Sequence, residues 1–290
     1  MANTWSTGGS LNTVQGNIAG CGTQSAGLSF GGDSLIVVTE EYNGTAWSTG
    51  GNLGTGRHGL AGCGTQAAGL SFGGIDSGGL STRTEEYNGT AWSTGGNLNT
   101  AVKTLAGAGI QTAGLSIGGN DGANTARTEE YNGTVWSTGG NLNTAQANLA
   151  GCGTQSAGLS FGGGAPTTRT EEYNGTAWST GGNLGTGRFY LAGAGTQVAG
   201  LSFGGHDGVN PSVVTEEYNG TIWGAGGNLG TARYLLGDAG IQSAGLSFGG
   251  KDPSDLVITE EYSEPPSPPL AAGAYLFGNL AEKYLSGNLM

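Results

Sequence analysis

Basic residues, histidine, cysteine and long apolar runs are all scarce in this chain of 290 residues, and each scarcity removes a class of function. Nine Lys plus Arg stand against 21 Asp plus Glu, giving a formal net charge of −12 with no basic cluster. Such a chain is a poor candidate for nucleic acid or an anionic membrane surface, both of which demand concentrated positive charge. No apolar run reaches the roughly 18 residues that a membrane-crossing helix needs. The opening MANTWSTGG lacks a basic segment followed by an apolar one, so no secretion leader is expected. The Asn-Gly-Thr triplets at 43, 88, 132, 174 and 219 then read as turn chemistry rather than glycan attachment. Cys21, Cys63 and Cys152 are too few, and too regularly spaced in equivalent positions, for a disulfide framework or a zinc site. They alternate with Ala108, Ala194 and Ala239 in one slot, so each reads as a small buried stand-in for alanine.

What is abundant is glycine, 63 residues, in a pattern without the three-residue period of collagen. The stretch TEEYNGTAWSTGGNL at 39–53 recurs unchanged at 84 and 170, and with one to three changes at 128 and 215. A sixth copy is divided: TEEY stands at 259–262 and NTWSTGGSL at 3–11. Trp5, Trp47, Trp92, Trp136, Trp178 and Trp223 lie 42 to 45 residues apart. A period in the low forties with four short strand signals per unit predicts a β-propeller blade. In the second unit these signals are LAGCGTQ (60–66), AGLSFGG (68–74), RTEEY (83–87) and TAWST (90–94). Asn88-Gly89 and its four equivalents predict two-residue type I′ hairpins between the third and fourth strands. Glycine and alanine in the first strand suit crowding about a central axis, and the repeated Tyr and Trp suit the core.

Six copies of Leu-Ser-Phe/Ile-Gly-Gly predict an all-β, six-bladed propeller over residues 1–262. The divided repeat predicts that the N-terminal strand completes the last blade and closes the ring. Twelve of the 21 acids belong to the TEEY copies, and the nine that remain equal the nine Lys plus Arg. The net charge is therefore a property of the scaffold.

The order LSFGG…TEEYNGTAW…LGTGRHGLAG resembles the kelch repeat across residues 1–262, departing from it in near-identical copies and in only four residues between Tyr and Trp. The wording TEEYNGTAWSTGGNLNTA…AGLSFGG also resembles kelch-like repeats of bacteriophage and marine viral metagenome proteins. The first resemblance implies partner binding through loops of one face; the second implies a virion protein such as a tail fibre, head fibre or decoration module, with the cytoplasm as the location otherwise.

Variation among the copies falls where the kelch resemblance points. In an up-and-down blade, the loop leading into strand one and the loop joining strands two and three emerge on one face. These loops vary, while the turns of the opposite face are nearly constant. The first set carries Arg57, His58, Lys103, Arg188, Tyr190, Arg233 and Tyr234, and the second carries Asp121, His206 and Asp207. Together they form the candidate ligand-binding residues for a host-surface glycan or protein. The residue four before each repeat Tyr is Val38, Arg83, Arg127, Arg169, Val214 or Ile258, and its arginines are expected to pair locally with the neighbouring Glu.

Catalysis is not expected. His58 and His206 lie in non-equivalent loops, no Tyr/His/Cys copper set can be assembled, and Asp boxes that would accompany a sialidase-like arginine triad are missing. No cofactor or metal is expected. Residues 263–269, SEPPSPP, form a Pro-rich linker, and 270–290 an apolar tail with Leu276, Phe277, Leu280, Tyr284 and Leu285 as candidate docking residues for other virion proteins. A purely structural decoration protein and a glycan-processing enzyme are the alternatives.

Overall fold

The computed structural model describes residues 3–263, so the tail and its candidate docking residues Leu276, Phe277, Leu280, Tyr284 and Leu285 lie outside the described residues. Six antiparallel four-stranded sheets stand around one axis. Blade two is representative: Ala61–Thr65 is innermost, followed outward by Ala68–Phe72, Thr84–Tyr87 and Trp92–Thr94. Blade six takes Gly237–Ile241, Ala244–Phe248 and Thr259–Ser263 from the end of the described chain, and Thr4–Thr7 from its start. Trp5 lies opposite Tyr262 in that last pairing, the same register as Trp92 opposite Tyr87. The expected ring closure is therefore present.

The hydrophobic cores lie between blades. One cluster joins Ala61, Cys63, Leu70 and Phe72 of blade two to Leu98, Leu105, Tyr131 and Trp136 on the blade-three side. The equivalent cluster at the closing seam joins Ala239, Leu246 and Phe248 to Leu11, Ile18, Tyr42 and Trp47. Each Trp ring packs on the Phe of the preceding blade wherever that blade carries one, as in Phe72–Trp136 with centroids 4.9 Å apart. Burying such a side chain contributes on the order of 2–3 kcal/mol.

Polar bonds repeat across every seam. Trp136 Nε1 donates to Thr84 Oγ1 at 2.9 Å, and Gln111 Nε2 donates to the carbonyls of Gly69 and Tyr87 at 3.0 and 2.7 Å. The Tyr131 hydroxyl donates to Glu86 at 2.6 Å while accepting from Gly96 N–H. Burial, reinforced by the adjacent carboxylate, pushes the Tyr42, Tyr87, Tyr131 and Tyr218 hydroxyls up to about 12, which keeps them donors at any ordinary pH. At the closing seam, Tyr42 reaches Glu261 and Gln24 reaches Gly245 and Tyr262 in the same way.

The turn between the third and fourth strands differs from the expected type I′ hairpin. Only its glycine has positive φ, for example Gly89 at 85°. Asn88 instead uses its side-chain oxygen to accept from the N–H groups of Thr90 and Ala91, and its own N–H bonds the Ala91 carbonyl. The connection is thus a four-residue loop held by an Asn cap, which fixes the hairpin without a left-handed Asn.

Candidate functional site

Beneath the variable face, each blade holds the first glutamate of TEEY buried, and its charge must be met locally. In three blades an arginine meets it. Arg57 is fully buried, with Nη2 donating to Glu85 at 3.0 Å and Ser71 at 2.7 Å, and Nη1 to the carbonyls of Gly73 and Arg83. Arg188 repeats this with Glu216, Ser202, Gly204 and Val214. Arg233 pairs with Glu260 at 3.0 Å and donates to Ser247 and Ile258. Burial draws the Arg233 guanidinium down to about 10, still protonated at neutral pH.

These placements correct the expectation that Arg57, Arg188 and Arg233 offer themselves to a ligand. They are internal counter-ions of the scaffold. They also take the role expected of the arginines four before Tyr: Arg83 and Arg127 are more than half exposed and pair with Asp76 and Asp121 instead.

The other three blades solve the same problem with asparagine. Asn12, Asn99 and Asn143 each donate backbone and side-chain N–H groups to Glu40, Glu129 and Glu171, at 2.7–2.9 Å. The two solutions are exclusive in sequence. Gly54, Gly185 and Gly230 precede Arg57, Arg188 and Arg233 by three residues, whereas Asn12, Asn99 and Asn143 precede Gln15, Val102 and Gln146. A Cβ at Gly185 would lie 3.0 Å from Glu216 Oε2, so the arginine blades use glycine where the carboxylate comes close.

Above this layer the two sets of variable loops touch, through bridges such as His58 to Ile75, Lys103 to Asn120, Phe189 to His206 and Tyr234 to Lys251. Over blades five and six they gather an aromatic cluster. Phe189 lies against Tyr190 and His206 with centroids 5.0 and 5.3 Å apart, and Tyr234 lies 5.4 Å from His206 and 6.2 Å from Tyr190. All four are half-buried. Over blades six, one and two the same face is polar: Lys251 bridges Asp33 and Asp255, Asn17 joins Asp33 to His58, and the Asp33 bond raises the Lys251 ammonium above its ordinary value.

Of the expected ligand residues, Tyr190, His206 and Tyr234 are thus brought together, and His58 joins the polar cluster. Lys103 is half-buried beside Asn120. Asp121 is engaged by Arg127, and the exposed Asp207 carboxylate accepts from Val209 and Asn210, capping its own loop. Phe189, Asn17 and Asp33, which lie in the same variable loops but were not among the selected candidates, complete the clusters.

At the centre, one residue per blade forms the mouth of an axial channel: Asn17, Gly59, Thr104, Asn148, Tyr190 and Leu235. Each donates its backbone N–H to the carbonyl of the residue before it around the circle, from Asn17 to Leu235 at 2.9 Å through Leu235 to Tyr190 at 3.0 Å, so the ring of bonds is closed. All six have φ between 50° and 61°, a left-handed conformation that costs about 1–3 kcal/mol for residues other than glycine. Below the mouth lies a cavity of about 110 Å³, and a second of about 100 Å³ opens toward the opposite face. At the waist between them, five blades place Gly20, Gly62, Gly107, Gly151 and Gly193; the sixth places Asp238, which lines both cavities. Asp238 Oδ2 accepts from Gly193 N–H at 2.6 Å, and burial pushes its carboxyl up to about 7. Aligning the copies would have revealed it, since it is the one acid in a glycine slot.

The three cysteines are buried in the seams, where desolvation raises their thiols above the ordinary value, to about 12 for Cys63. Among the described residues, no three His, Cys, Asp or Glu gather in a way that could hold a metal ion. No known protein family matches the chain, and no curated protein sequence matches it.

Proposed function

We propose that the propeller is a non-enzymatic binding module, displayed on a phage particle, that captures a host-surface glycan or protein on its variable face. The supporting observation is the half-exposed cluster of Phe189, Tyr190, His206 and Tyr234. The repeated aromatics of the scaffold are consumed in the seams, whereas these four lie on diversified loops, where rigid amphipathic rings supply contact area at little entropic cost. The kelch-like order of the repeat favours partner binding at these loops, and its resemblance to phage repeats favours the virion, with the tail docking on other virion proteins.

The test is binding of the full chain to a glycan array and a panel of bacterial cells, beside Tyr234→Ala and His206→Ala. Saturable binding lost in both variants is expected. Binding unchanged in both would place the ligand elsewhere, and no binding at all would transfer the reading to a purely structural virion protein.

A further inference from the structure

The axial channel opens beside the outer-face aromatic cluster and shares only Tyr190 with it. Its upper cavity is lined by the six left-handed mouth residues and by the inner strands, which carry leucine, isoleucine, alanine and glycine. Asp238 is the sole charged residue lining it. Five blades show that the fold is built with glycine at this slot, so the acid is an addition to the scaffold, and it stays partly open to the channel. The mouth bears a further departure from the cheapest solution. Five of its six residues are not glycine yet hold a left-handed backbone, the kind of strain that persists where surrounding structure enforces a particular geometry.

We propose that the channel mouth binds a primary ammonium group, with Asp238 as its counter-ion and the Tyr190 ring at the rim. Charge selects the sign, since the cavity holds a carboxylate and no cation. Size excludes bulk: about 110 Å³ is far below the roughly 300–1,000 Å³ of sites that enclose drug-sized ligands, so an alkylammonium tip fits and a sugar ring does not. Chemistry favours ammonium over a divalent metal. One carboxylate, already accepting from Gly193, is a poor start for the six to eight oxygens about a calcium ion. An ammonium has three donors and no acceptor. It can use the remaining lone pairs of Asp238, and the aromatic Tyr190 at the rim attracts a cation entering the channel.

The test is calorimetric titration of the full chain with n-propylammonium chloride at pH 8, against sodium chloride of equal ionic strength. Saturable one-site binding is expected, weakened at least tenfold by Asp238→Asn. Asp238→Gly, which restores the residue of the other five blades, provides a second variant that is compatible with the fold and should also abolish binding. Absence of binding by the parent, or binding by both variants equal to the parent's, would overturn the proposal; so would calcium chloride displacing the amine. No glycan or cell enters this assay, so its failure is distinguishable from failure of the outer-face reading.

Discussion

The two ways of holding the buried glutamate make the blades exchangeable in a testable sense. In blade five, Arg188→Gln removes the guanidinium that bonds Glu216 at 3.0 Å, Ser202 at 2.9 Å and Val214 at 2.8 Å. Glu216 is 5 % exposed, and only the N–H groups of Gly185 and Thr186 remain to hold it. Removing one partner of a buried pair in this way costs about 3–5 kcal/mol. Adding Gly185→Asn should restore most of the loss, because Asn143 of the neighbouring blade donates to Glu171 from both its backbone and its side chain. The glutamine has a model there as well. With its amide oriented by the hydrogen-bond network, Gln146 donates to Gly162 at 2.7 Å, the bond that Arg188 makes to Gly204 at 2.7 Å. Gly185→Asn alone should destabilise slightly, since its Cβ would crowd Glu216 while the arginine is still in place. Urea unfolding of the parent, both single variants and the double variant gives the coupling. The single Arg188→Gln should fall by about 3–5 kcal/mol and the double should return to within about 1 kcal/mol of the parent. Additivity of the two single effects would refute the account of the two solutions as physical alternatives.

The waist and the closure give two further expectations. Asp238 has its carboxyl raised by burial to about 7, so between the ordinary carboxylate range and pH 7 the folded state holds a proton that the unfolded chain has released. Its contribution to stability therefore falls as pH rises through that window. Cys21 and Cys152, the titratable groups nearest it electrostatically, stay neutral throughout. Asp238→Gly should stabilise at pH 8 by roughly 1–4 kcal/mol and leave pH 4 unchanged, read from melting at each pH; a gain that is the same at both would remove the carboxyl as its cause. Deleting residues 1–10 removes the strand opposite Thr259–Ser263, the Trp5 bond to Thr215 and the Asn3 bond to Glu217. The whole ring should then melt earlier in circular dichroism, and melting at the parental temperature would show that closure contributes nothing.

The architecture was legible because it is written six times in register. Period, strand signals and the divided repeat each require only that equivalent positions be recognised, and the hydrophobic pattern does the rest. The turn was misread because Asn-Gly is favoured in a two-residue hairpin, whereas Thr90 and Ala91 give the Asn88 side chain two N–H groups to accept, and a longer loop wins. The arginines were misread because a charged residue in a variable loop is ordinarily exposed. The signal that could have placed them is local: in the slot of Arg57, Arg188 and Arg233, arginine appears only where the residue three before it is glycine, a covariation that makes sense once the buried carboxylate lies between the two.

That covariation also separates scaffold from site. The first glutamate of each pair is met by arginine or asparagine from within the same blade, and the second accepts from the tyrosine of the next blade. The threonines answer the tryptophans and the glutamines answer seam carbonyls, so the net charge of −12 is made largely of carboxylates already committed to hydrogen bonds. Groups that the framework does not need stand out by subtraction. They are the rings of Phe189, Tyr190, His206 and Tyr234, the Lys251–Asp33–His58 cluster, and Asp238 in a glycine slot. A repeat protein offers its own control in this way: a polar or aromatic side chain present in one blade, dispensable in the other five and not engaged in its own loop as Asp207 and Asp121 are, is where a role other than the fold is to be sought.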